Sequence, residues 1–174
     1  EPDIANRTGY LYAGVSSHYK KDVENNGVVG FFKIDAVTGK ILWKHEKAVT
    51  SMTSVSGGIQ ATALLGKGSI SDLVIVPFAN TYGEVKNGEL VAFNKSDGSV
   101  RWTFPMDHYS WSSPVGVYDA AGNAYIVIAD NIGMVHLVDG KTGAELDRFN
   151  AGHNCEASPA VYGNTIVIGT RGME

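Results

Sequence analysis

Residues 88–102 read GELVAFNKSDGSVRW, and the fold turns on how that stretch is understood. An apolar run from Leu90 passes through the small Ala92 to Phe93, a turn carries Asp97-Gly98, and a second run ends on Trp102. Two short runs around an Asp-Gly pair are the mark of a β-hairpin. The chain writes it more than once. Residues 30–43 read GFFKIDAVTGKILW and residues 133–147 read GMVHLVDGKTGAELD, each with an acid or amide four residues before a glycine. Those pairs are Asp35 and Gly39, Asn94 and Gly98, Asp139 and Gly143. A recurring unit implies an array of one supersecondary element rather than a single irregular core.

The turn glycines Gly98 and Gly143 lie 45 residues apart, and so do Pro114 and Pro159 in the segments SPVGVY and SPAVY. A period of about 40–45 residues is that of a four-stranded propeller blade. The interval from Gly39 to Gly98 is 59 residues because it contains extra polar loops. Each unit then consists of a Ser-Pro strand, an Ile/Val strand such as AYIVIA at residues 124–129, and the two arms of the hairpin. This predicts an all-β chain, a β-propeller of four-stranded antiparallel blades. The chain divides into a partial blade over residues 1–45, blades over 59–104 and 113–149, and a partial blade over 157–174. Because a closed ring needs roughly four to eight blades, the prediction is an arc of about three to four blades cut from a larger ring.

Composition agrees with that class. The 174 residues are 44% apolar and 18% charged, with 21 glycines, which suits a globular chain of short strands and many turns. The net charge of −4, with basic residues dispersed, leaves no electrostatic footprint for nucleic acid. One cysteine, Cys155, cannot form an internal disulfide. No apolar run approaches the ~20 residues of a membrane helix. A first residue other than methionine suggests a chain processed or cut from something longer.

Residues 92–102, AFNKSDGSVRW, match the motif A-x-[DN]-x-x-[TD]-G-x-x-x-W of the pyrroloquinoline quinone (PQQ) enzyme repeat. Asp35, Thr38, Gly39 and Trp43 match in the first copy, with Lys33 in place of the alanine. Asp139, Thr142 and Gly143 match in the third, with Leu137 for the alanine and Asp147 for the tryptophan. The chain thus resembles the PQQ-repeat propellers, a family of quinoprotein alcohol dehydrogenases and of non-catalytic scaffolds such as the outer-membrane assembly lipoprotein. The resemblance implies an exported protein, periplasmic or at the cell surface. It also implies that Trp43 and Trp102 pack between blades, and that the junction at Asp147 is looser.

Three polar loops, residues 16–27, 46–58 and 79–87, fall on one face of such a propeller, and function gathers on loops held by a rigid scaffold. The segments DHYSW at residues 107–111 and GHNCE at 152–156 are register-equivalent and lead into the innermost strand of a unit on that face. His108, Trp111 and His153 are therefore the candidate ligand-contacting residues, placed where quinoproteins hold their cofactor. Tyr19, Tyr82, Tyr109 and Trp111 would equally suit a protein or carbohydrate partner. No zinc-type ligand spacing is present, residues 119–123 offer one carboxylate and read as a tight turn, and the adjacent cysteines of many quinoprotein dehydrogenases are absent. The reading is a binding scaffold without a cofactor, the alternative a PQQ-dependent dehydrogenase of alcohols or sugars. An open arc should also associate with the remainder of its own propeller or with a second copy.

Overall fold

The computed structural model describes residues 3, 6, 8–16, 28–48, 57–79 and 87–172. Among these lie thirteen strands and one 3-10 turn, Gly68–Ile70, with no α-helix. A three-stranded antiparallel sheet holds β1 (Tyr10–Gly14), β2 (Val28–Asp35) and β3 (Ile41–Ala48) in that order. The second sheet is β4 (Leu64–Leu65), β5 (Leu73–Ala79), β6 (Gly88–Asn94) and β7 (Val100–Met106). The third is β8 (Val115–Tyr118), β9 (Ala124–Ala129), β10 (Met134–Asp139) and β11 (Glu145–Asn150). A two-stranded sheet of β12 (Ala160–Tyr162) and β13 (Thr165–Val167) follows. Each is an up-and-down meander, the order a propeller blade requires.

The core lies between sheets, and strand periodicity decides which neighbour each residue meets. Both faces of β5 are buried. Leu73 and Ile75 pack with Trp102 of their own sheet and with Ile126 and Ile128 of the following one, while Val74, Val76 and Phe78 pack with Phe31 and Trp43 of the preceding one. β6 divides likewise, Leu90 and Ala92 to one side and Val91 and Phe93 to the other. In β9, Val127 and Ala129 turn towards Val135 and Cys155. A strand buried on both faces reads as a continuous apolar run, which is why LVIVPFA and AYIVIA hardly alternate.

One strand is shorter than its sequence suggests. The apolar content of residues 59–64, at the start of the second blade, predicts an innermost strand, but only Leu64 and Leu65 pair with β5. Gly58, at φ 81°, instead makes isolated bridges to Ser16 and Ala79, so this segment joins the first sheet to the second before the ladder begins. The short β4 also explains Pro77. β5 pairs with β4 only as far as Ile75, so at Pro77 one side of the strand has no ladder to interrupt.

Candidate functional site

The hairpin motif builds the frame. In all three copies the ladder slips by one residue at the same point: between Lys33 and Ile34, between Ala92 and Phe93, and between Leu137 and Val138. The slip places Lys33 opposite Trp43, Ala92 opposite Trp102 and Leu137 opposite Asp147. The turns share one geometry too. Gly39, Gly98 and Gly143 sit at φ 72°, 75° and 74°, and each donates its N–H to the carbonyl of Asp35, Asn94 or Asp139. The Asp35 carboxylate accepts the N–H groups of Val37 and Thr38, and that of Asp139 accepts those of Lys141 and Thr142. Where Asn94 stands instead, Asp97 takes the role and accepts the N–H and hydroxyl of Ser99.

The tryptophans clasp the next blade. A Cβ on Gly98 would meet the Trp43 ring at 2.6 Å, and one on Gly143 would meet the Trp102 ring at 2.7 Å. Trp43 Nε1 donates to the Lys95 carbonyl at 3.1 Å, and Trp102 Nε1 to the Gly140 carbonyl at 3.0 Å. A buried indole needs such a partner for its one donor, and the following turn supplies it. Where Asp147 replaces the tryptophan, a cavity of about 100 Å³ lies among Val127, Val135, Leu137, Phe149 and Ile166.

At the opposite end of the strands, residues 107–113 cross from β7 to β8. Gly88 lets this loop come close, since a Cβ there would lie 3.0 Å from Tyr109 Cα and 3.3 Å from the His108 carbonyl. The Tyr109 carbonyl accepts the Asn131 N–H, and Ser110 Oγ donates to the Ala129 carbonyl at 2.6 Å. These bonds tie the loop to the link between β9 and β10. The link is itself a tight turn in which Asp130 Oδ1 accepts the N–H groups of Ile132 and Met134. On its other side Gly133 abuts the backbone of His153. Further in, the Thr62 N–H donates to Ser113 Oγ and the Ser113 N–H to Ser158 Oγ, so hydroxyls one repeat apart lace successive innermost strands together.

The candidate residues differ in placement. Trp111 is half-buried, 5.0 Å between ring centroids from the buried Tyr109, and its buried Nε1 has no partner. His108 is half-buried and His153 exposed. Among the described residues neither imidazole enters a ring contact, an ion pair or a side-chain hydrogen bond, and neither joins Trp111. Burial and the nearby Glu156 carboxylate push the Tyr109 hydroxyl above its ordinary range. Cys155 holds the register position of Ser110, is fully buried and hydrogen-bonds the His153 carbonyl. Burial, then the Asp130 carboxylate, raises its thiol, so it stays protonated and unreactive. Tyr19, Tyr82 and most of the three polar loops lie outside the described residues.

A second buried polar group escaped the sequence reading. His136 of β10 is 5% exposed, with Nδ1 2.7 Å from Glu145 and Nε2 3.9 Å from Asp130, an ion-pair distance too long for a direct hydrogen bond. Burial pulls its pKa down, but the two carboxylates outweigh it and the net direction is up. Its place in the apolar run MVHLVD, between the buried Val135 and Val138, was the signal available in sequence, and only the fold shows which acids face it. No group of three or more metal-ligating side chains is present among the described residues.

A family model described as outer membrane protein assembly factor BamB matches residues 10–109 and 86–173. Among solved structures, BamB from Moraxella catarrhalis is similar over 90% of this chain and 43% of its own, at 17% identity and a TM-score of 0.56. A quinohemoprotein alcohol dehydrogenase, ADHIIG from Pseudomonas putida HK5, is similar over 90% of this chain and 33% of its own, at 12% identity and a TM-score of 0.47. The chain therefore spans less than half the length of either. No curated protein matches it.

Proposed function

Because the chain belongs to the family described as outer membrane protein assembly factor BamB, we propose that it is a non-catalytic scaffold, an arc of a PQQ-repeat β-propeller that binds another protein on the rim formed by residues 107–111. The observation that carries this is the braced aromatic pair. Tyr109 is held by its own backbone and by the fixed Ser110, and it packs against Trp111, whose ring is only half-buried on the rim. A rigid, half-buried tryptophan with part of its ring on the surface is the type of group that anchors protein interfaces. Export to the periplasm or cell surface, in association with the outer membrane, belongs to the same proposal.

A quinoprotein dehydrogenase would need this rim to hold a planar quinone bearing three carboxylates. Of the described acids there, Asp107 is exposed and Glu156 lies 3.5 Å from Arg171, while Asp130 is buried against its own turn and His136. We take the exposed Asp107 carboxylate and the pairing of Arg171 with Glu156 to disfavour a polyanion on this rim and to favour the scaffold reading. His108, Trp111 and His153 are accordingly proposed as partner contacts, with Trp111 foremost.

The test is site-specific photocross-linking in the full-length protein in its own host. A benzophenone side chain in place of Trp111 should give discrete protein adducts. The same group in place of Lys141, in the tight turn at the other end of the blade, should not. No protein adduct at position 111, as a carbohydrate partner would give, or the same adducts from both positions, overturns the proposal.

A further inference from the structure

The first copy of the hairpin motif departs from the other two in a way that the scaffold role does not use. The position that holds Ala92 in the second copy and Leu137 in the third holds Lys33 in the first. A lysine there lies inside the junction between the first and second sheets, and Lys33 is 92% buried, being only 8% exposed. Such burial is rare for a cation unless the charge is answered. Its Nζ donates to the Lys95 carbonyl at 2.7 Å and stands 4.0 Å from the centre of the Tyr10 ring. The Lys95 ammonium, in turn, reaches the carbonyls of Ser71 at 2.8 Å and Gly66 at 3.3 Å. Backbone oxygens and an aromatic face thus supply partial negative charge, but among the described residues neither lysine pairs with a carboxylate.

Between them is an open pocket of about 260 Å³ lined by Tyr10, Tyr12, Lys33, Leu65 and Lys95. Among the described residues its walls hold two ammonium groups and no acid. Two acids close by in sequence are committed elsewhere, Asp35 to the N–H groups of its own turn and Asp72 to Arg101. Burial, and then repulsion from Lys95, lower the Lys33 pKa, the effect expected of two cations facing one space with no counter-charge between them.

We propose that this pocket is a binding site for a small oxyanion, a carboxylate or phosphate group held between Lys33 and Lys95 against the Tyr10 and Tyr12 rings. Each ammonium has three N–H donors and the protein oxygens do not use them all, so an oxyanion completes both sets. The two rings give the site an apolar wall, which suits the carbon skeleton of a small organic acid. Because the pocket opens at the tight-turn end of the strands, away from residues 107–111, the inference stands apart from the scaffold proposal.

The experiment is a titration of the full chain, labelled with nitrogen-15, with succinate and separately with inorganic phosphate at constant low ionic strength, chloride serving as the control. Saturable shifts of the Lys33, Leu65 and Lys95 amides are expected, with dissociation constants on the order of 1 mM for one of the two anions. Lys33→Ala restores the residue found in the second copy. It should retain the fold and weaken that binding by about tenfold or more, and Lys95→Gln should weaken it similarly. Lys33→Met, which keeps the long stem without the charge, serves if the alanine variant loses structure. Absence of saturable shifts up to about 20 mM of either anion overturns the assignment. So does unchanged binding in the Lys33 variant that stays folded, or an equal response to chloride.

Discussion

Gly143 shows how much of this molecule is decided by one missing methyl group. It needs φ 74°, and it must admit the Trp102 ring where a Cβ would lie 2.7 Å away. Gly143→Ala is therefore penalised twice, and a loss of more than about 1 kcal/mol is expected in urea unfolding. Trp102→Ala empties the other half of the clasp and also strands the Gly140 carbonyl, and should cost about 3–5 kcal/mol. Titration gives a second test with opposite signs. Turn N–H groups hold the Asp35 carboxyl below its ordinary range, and at Asp139 those of Thr142 and Lys141 do so against the opposing effect of burial. Their stabilisation is present above the unfolded value of about 4 and is lost as pH falls through the lowered folded values. Asp139→Asn should flatten that acid limb. His136, held up by Asp130 and Glu145, contributes fully below its unfolded value of about 6.5 and loses the contribution as pH rises through the folded value. His136→Gln should remove this alkaline decline, read as the urea midpoint between about pH 5 and 9. The turn residues were legible in sequence because a left-handed position four residues after an acid has few chemical solutions. His136 was not, since the strand pattern reports burial but not the partner.

At the scale of the element, the three hairpins share their bulge as well as their turn, so the motif specifies a backbone shape and not merely a strand pair. That explains why residues 92–102 carry the fold so strongly. The innermost strand was harder to read. Residues 59–64 have the apolar content of a strand, yet Gly58 and the bridges around it give their backbone other partners before β5 is reached. Propensity sees side chains, and this outcome was set by a tertiary hydrogen bond. The loop of residues 107–113 rests on Ser110, whose hydroxyl satisfies the Ala129 carbonyl. Ser110→Ala leaves that acceptor buried without its partner and should cost about 1–3 kcal/mol, with the Tyr109 and Trp111 signals broadened in solution. Cys155, in the same register position one repeat later, should resist thiol reagents in the native state and react only on unfolding. Rapid labelling of the folded chain would contradict its assigned burial.

Taken whole, the chain stacks blades whose inner junctions are packed and whose outer faces are open. β11 is exposed along its length, and Phe149 and Val167 are 50% and 64% exposed at one end, as Leu11 and Ile41 are 56% and 50% at the other. Exposed apolar faces of this kind drive association, so the isolated chain should show concentration-dependent dimerisation in sedimentation, and a strict monomer at high concentration would argue against the open arc. Blade packing was legible because period, motif and strand pattern agreed on it. The rim was legible only in part, since sequence register brought residues 107–111 and 152–156 to one level but could not show that the Tyr109 and Trp111 rings pack at a tilt while the two histidines stand apart. The scaffold reading is tested most directly by steady-state reduction of an artificial electron acceptor by the full-length protein supplied with PQQ and an alcohol or sugar. The account predicts no PQQ-dependent turnover above the rate without protein, and sustained reduction that is abolished by Trp111→Ala would contradict it.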